Sequence, residues 1–136
     1  MRLDITRRAD LAVRAMTVLT ASPERWKAPA LAAELGTTVG FVPQVMGPLV
    51  KAGWVRSDPG PTGGYAAQVA ASDVSVLQVI EVVDGATDAG RCVVENRACT
   101  AATPCTLHVA WGAARAELTR TLASTSVAEV ALGRRR

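Results

Sequence analysis

All three cysteines and the single histidine of this 136-residue chain fall within one stretch, "RCVVENRACTAATPCTLH", residues 91–108. Six residues separate Cys92 from Cys99, five separate Cys99 from Cys105, and two separate Cys105 from His108. Thiolate and imidazole are ligands for zinc, iron and iron–sulphur clusters. Four readings compete for them. Free cysteines can serve as small buried hydrophobes, yet Glu95, Asn96, Arg97, Thr100, Thr103 and Pro104 make this segment polar. A disulfide is disfavoured by the odd count and by a reducing compartment. A Cys3His zinc site is chemically feasible, although zinc ribbons and redox pairs use closer C-x-x-C units that are absent here. An iron–sulphur cluster is larger than one ion and suits widely spaced thiolates, with one position left for an oxygen or nitrogen donor. Spacing alone leaves zinc and iron–sulphur open.

The rest of the chain must hold these ligands. Its length suits one globular domain with its own core. Apolar residues make up 49% and aromatic residues 4%, so Leu, Val and Ala must form most of that core. The formal charge of +3 and a pI near 9.1 permit an anionic partner. "MRLDITRRADLAVR" interrupts its apolar residues with charges, unlike a signal peptide. No run approaches a membrane span. The expectation is a cytoplasmic protein without membrane attachment. Enzyme classes find no support: there is one histidine, no nucleophile elbow, no GxxxxGK loop and no catalytic carboxylate pair.

Helical periodicity marks "RRADLAVRAMTVLTAS", where Leu11, Ala12, Ala15, Met16, Val18 and Leu19 form a stripe ending before Pro23. "APALAAELG" has Pro29 for a first turn and Gly36 for a C-terminal cap. A third helix is predicted from near Thr38, with Val42, Val45, Met46, Leu49 and Val50 on one face. Pro43 suits its first turn, whereas Pro48 should kink or loosen its second half. Two short helices around a tight turn form a helix-turn-helix pattern. Strands near Trp54–Arg56 and Tyr65–Gln68, joined by a Pro/Gly-rich turn, then read as a wing. A helix from Asp73 repeats Val74, Leu77, Ile80 and Val83 and stops at Gly85. Beyond the cysteine segment, a long helix from Thr106 carries Leu107, Ala110, Trp111, Ala114, Leu118 and Leu122. Such a stripe exceeds what a small winged domain needs and points to dimerisation. Ser126 and Glu129 resemble a capping box for a last short helix, and "GRRR" is a basic tail. The fold class expected is mainly α: a winged helix-turn-helix with a two-stranded wing and a long C-terminal dimerisation helix. Residues 1–85 would form the DNA-binding domain, and 86–136 the cluster-binding loop and dimerisation helices.

Taken together, "MRLDITRRADLAVRAM", "VPQVMGPLVKAGWV", "GPTGGY", "VSVLQVIEVVDG" and "RC…C…PCTLHVAW" resemble the family of winged-helix transcriptional regulators that includes the iron–sulphur regulators IscR and NsrR. The resemblance covers nearly the whole chain. It implies a homodimer on a palindromic double-stranded DNA operator, with a recognition helix in the major groove and the wing toward the minor groove. It also implies an iron–sulphur cluster, 4Fe–4S or 2Fe–2S, whose state alters DNA affinity, so that a repressor senses redox stress, nitric oxide or cluster supply. Cys92, Cys99 and Cys105 match the thiolate ligands. For the fourth ligand, His108 matches the IscR branch, and Asp10, supplied by the partner subunit, matches the NsrR branch.

Gln44 matches a base-reading position and could bond adenine. Pro43 stands where an acidic residue is common, and Asp58 and Pro59 stand where the family often places an arginine. Arg56 could reach a narrow minor groove instead. Lys51 and Arg56 are the phosphate or groove candidates, with Arg2, Arg7 and Arg8 adding positive charge near the same face. A zinc-stabilised or cluster-free winged-helix regulator without redox sensing is the alternative.

Overall fold

The computed structural model describes residues 3–95 and 97–133. Arg2, Asn96 and the arginines of the basic tail lie outside the described residues. Among the described residues there are six α-helices and one two-stranded antiparallel sheet.

Helix α1 (Arg7–Thr20) starts at Thr6, whose hydroxyl accepts the Ala9 N–H, and it buries Ala9, Leu11, Ala12, Ala15, Met16 and Leu19 completely. It is the central element of the core. Helix α2 (Ala28–Leu35) carries Pro29 in its first turn and ends at Gly36, which is left-handed (φ +69°). There the Thr37 N–H returns to the Ala32 carbonyl at 2.9 Å, closing the helix-turn-helix turn.

The expected helix from Thr38 begins instead with one 3₁₀ turn, Val39–Phe41, and continues as α3 (Val42–Lys51). Pro43 therefore lies in the first α-helical turn, where its missing N–H costs nothing. Pro48 sits inside α3 without ending it. Gly47 precedes it and lacks the Cβ that would crowd the proline ring. The carbonyl that loses its donor belongs to Gln44, an exposed residue, where water can serve it.

Strands β1 (Val55–Asp58) and β2 (Gly64–Ala67) form the wing, in the register Val55↔Ala67, Arg56↔Ala66, Ser57↔Tyr65 and Asp58↔Gly64. Both begin one residue from the expected bounds. The wing has a third partner that periodicity did not reveal. Trp26 and Tyr65 exchange two backbone hydrogen bonds of 2.8 Å, so the segment before α2 extends the sheet by one bridge.

Helix α4 (Val76–Asp84) is opened by a reciprocal Ser75–Gln78 capping box and buries Leu77, Val79, Ile80 and Val83. Val74, expected in its first turn, precedes it, because Ser75 takes the cap; its side chain is buried nonetheless. Helix α5 (His108–Ser124) starts two residues later than expected and has no buried residue. Helix α6 (Val127–Gly133) returns to the core and packs on α1, burying Val127 completely, while Val127 N–H bonds the Val74 carbonyl at 2.9 Å. The expected capping box is present: Ser126 N–H donates to Glu129 Oε2 at 2.7 Å, and Glu129 N–H to Ser126 Oγ at 3.2 Å. The segment after the cysteines thus returns, through α6, to pack on α1. Among the described residues, no helix is long and apolar enough to cross a membrane.

Candidate metal centre and nucleic-acid interface

Between α4 and α5 the described residues form no regular helix or strand. A single antiparallel bridge, Arg91↔Ala98, folds its first part on itself, with Cys92 N–H donating to the Arg97 carbonyl (2.9 Å) and Cys99 N–H to the Gly90 carbonyl (3.2 Å). In that register Cys92 and Cys99 are diagonal neighbours on the same face. A second bridge, Thr100↔Thr103, turns the chain back, and Cys105 arrives just ahead of α5, its carbonyl accepting the His108 N–H at 3.1 Å. Arg97 braces this path: its guanidinium pairs with Glu95 and donates to the carbonyls of Ala98 (3.1 Å) and Thr103 (2.9 Å).

The sulfurs of Cys92, Cys99 and Cys105 consequently all lie within 4.8 Å of one another, and the cysteines are free thiols. His108 Nδ1 is 3.1 Å from Cys99 Sγ. The four residues line one cavity of about 250 Å³, together with Trp111 and Arg115. Backbone N–H groups of Glu95 (3.3 Å) and Val94 (3.4 Å) point at Cys92 Sγ and hold its thiol below the ordinary range. Desolvation pushes the Cys105 thiol up. Three convergent sulfurs, one of them already receiving N–H donors suited to a thiolate, fit a thiophilic metal or an iron–sulphur cluster.

Asp10 is elsewhere in this chain, half-buried on α1 and in ion pairs with Arg7 (3.4 Å) and Arg14 (3.8 Å).

In the helix-turn-helix, Gln44 is exposed in the first turn of α3, away from buried Val42, Val45, Met46 and Leu49. Lys51 is exposed at the end of the same helix. Arg56 projects from β1, its Nε held by Asp58 Oδ1 at 3.0 Å. Arg7 reaches the Gly36 carbonyl at 3.5 Å, beside the turn between α2 and α3. Arg8 does not project with it. Its guanidinium donates to the Val83 carbonyl at 2.6 Å, closing the C-terminal end of α4.

A family model described as an iron-dependent transcriptional regulator, Rrf2, matches residues 5–132. The chain belongs to the Rrf2 family. That is a family of transcriptional regulators and not of enzymes. This Rrf2 chain is 30% identical over 128 residues to the IscR regulator of Klebsiella pneumoniae, covering 93% of this chain and 78% of that one. It is 40% identical over 77 residues to IscR of Vibrio atlanticus, covering 56% of this chain and 43% of that relative. The chain spans about half the length of several IscR relatives. Its fold superposes on CymR, the global cysteine regulator of Bacillus subtilis, with a TM-score of 0.77 over 96% of this chain and 97% of that one, at 20% identity. The winged-helix architecture is thereby shared.

Proposed function

We propose that this Rrf2-family protein is a cytoplasmic DNA-binding repressor, acting as a homodimer on a palindromic operator and sensing redox stress, nitric oxide or cluster supply through an iron–sulphur cluster. The observation that carries the reading is the convergence of Cys92, Cys99 and Cys105 within 4.8 Å on a winged-helix framework. In this reading the three thiolates hold the cluster, with His108 or the partner's Asp10 as the fourth ligand. When bound, the cluster supplies a centre that oxidants and nitric oxide attack.

The chain's own residues provide the link to DNA. The ligand loop leaves α4 at Asp84, whose carboxylate accepts the Thr6 hydroxyl at 2.7 Å, and Arg8 holds the neighbouring Val83 carbonyl. The start of α1 is therefore tied to the start of the loop. At its other end the loop feeds α5 through His108. A change in loop shape reaches the DNA-binding body through the first tie and the subunit interface through the second. Residues 1–85 would carry the DNA-binding role and 86–136 the sensing and pairing roles, with α6 fastening the second unit to the first.

Gln44 would read a base edge, while Lys51, Arg56, Arg7 and Arg2 would supply charge to the duplex.

The test is iron, zinc and acid-labile sulphide per chain on anaerobically purified protein. Iron and sulphide in near-equal amounts, both lost in Cys99→Ala, are the expected result. Zinc without sulphide would overturn the sensor in favour of a zinc-stabilised regulator. The same convergence also suits that second reading. Three sulfurs within 4.8 Å approach the ~3.8 Å separation of tetrahedral thiolates on one zinc ion.

A further inference from the structure

The wing carries an arrangement that the family's usual arginine position does not account for. Asp58, at the end of β1, holds two arginines at once: Arg56 Nε lies 3.0 Å from Oδ1, and Arg25 Nη2 lies 3.2 Å from Oδ2. Arg25 comes from the segment ahead of α2, far from the wing in sequence. Trp26, next to it, is bridged to Tyr65, and this fixes where Arg25 can reach. Its Nη1 also donates to the Thr62 carbonyl in the wing turn at 3.3 Å. Lys27, on the other side of Trp26, donates to the Pro61 carbonyl.

The three members of the cluster differ in depth. Asp58 is the inner one, with its side chain 23% exposed against 43% for Arg25 and 55% for Arg56. Asp58 Oδ2 is shielded from solvent and makes no aligned hydrogen bond among the described residues, leaving the Arg25 guanidinium as its charge partner. Both guanidinia keep donors for something outside. Among the described residues Arg56 uses only Nε, and Arg25 keeps its Nε and the second hydrogens of its terminal nitrogens. Two like charges this close would separate without the carboxylate between them. With it, the two partly exposed guanidinia are held at one carboxylate on the wing with donors to spare, an arrangement suited to phosphate oxygens.

We propose that Arg25 and Arg56, held side by side by Asp58, form a two-guanidinium clamp for backbone phosphates of duplex DNA, with Asp58 as the positioning residue. The proposal rests on the DNA-binding reading above and adds Arg25 to the contact surface. It also gives Asp58, an acidic residue on a face expected to be basic, a reason to be there.

The clamp is sequence-independent, so it is tested without knowledge of the operator. Full-length protein is titrated against a fluorescent mixed-sequence duplex at salt concentrations from about 50 to 200 mM, and the slope of log K against log salt is read. Arg25→Ala and Arg56→Ala are each expected to reduce that slope by about 1, and Arg120→Ala, on α5, to leave it unchanged. Arg25→Lys should keep the slope and lose affinity, because the charge stays and the fork goes. In an Asp58→Asn background, adding Arg25→Ala should no longer change the slope, since Arg25 is then no longer held in place.

If wild-type protein binds duplex and Arg25→Ala has the wild-type slope, the clamp is wrong and the DNA-binding reading stands. If Asp58→Asn binds more tightly and Arg25→Ala still removes a full unit in that background, Asp58 is a competitor and its positioning role fails. A wild-type chain without salt-dependent binding to duplex overturns both readings.

Discussion

At the scale of single residues, the ligand loop is chemically uneven. Cys92 receives two backbone N–H donors that favour its thiolate, whereas Cys105 is desolvated, which favours its thiol. In metal-free protein, Cys92 should therefore alkylate with iodoacetamide at lower pH than Cys105. Raising the pH should bring Cys105 in after Cys92, because desolvation pushes the Cys105 thiol above its ordinary range. Peptide mass spectrometry across a pH series reads the order, and simultaneous labelling would contradict it. Gly64 makes a different demand. Its φ is +138°, and a Cβ there would stand 2.7 Å from the Trp26 carbonyl oxygen. Gly64→Ala should destabilise the fold by more than about 1 kcal/mol in urea unfolding and weaken the Trp26–Tyr65 bridge. The three cysteines and His108 were legible in the sequence as candidate ligands by residue type alone. Arg25 was not, since a single arginine in a connecting segment gives no sign of what it will meet.

At the scale of elements, local signals placed most helices to within two or three residues. Gly36 ends α2 as its type and position require, and Ser126 with Glu129 opens α6. The Ser75–Gln78 box shows the same signature in sequence, yet it was overshadowed by the apolar repeat beginning at Val74. Val74 belongs to the core without belonging to α4, because burial depends on where the side chain points and not on whether its backbone is helical. Ser75→Ala should cost about 1 kcal/mol of stability in denaturant titration, since the Gln78 N–H loses its acceptor at the helix start. An unchanged midpoint would show that water replaces the cap fully. The 3₁₀ turn ahead of α3 was outside what periodicity resolves, since three residues make no repeat.

At the scale of the whole molecule, α5 stands out as a 17-residue helix with no buried residue. Val109 is 81% exposed and Leu118 45%. Leu118 and Trp111 flank an apolar hollow that also includes Leu3 and Ala114. A second copy of the chain covering this face would explain its composition. Leu118→Asp should then halve the mass seen by sedimentation equilibrium while leaving the helical signal in circular dichroism intact. A wild-type chain that already sediments as a monomer at micromolar concentration would refute the pairing.

What the amino-acid sequence determined by itself is whatever depends on near neighbours along the chain. That includes the helical stripes of α1, α3 and α4, the left-handed cap at Gly36, the wing signalled by Pro and Gly, and the gathering of soft ligands between residues 92 and 108. Each follows from steric and hydrogen-bonding preferences acting over a few residues. Only the tertiary structure decided which distant groups meet. Trp26 joins the wing, Arg25 and Arg56 share Asp58, Thr6 donates to Asp84, and α6 closes on α1. These contacts arise when a common core fixes separate elements in space, and no local periodicity encodes such distances. Even the three sulfurs draw together only because bridges at Arg91↔Ala98 and Thr100↔Thr103 fold an otherwise irregular loop, so their approach to within 4.8 Å is a property of the folded chain.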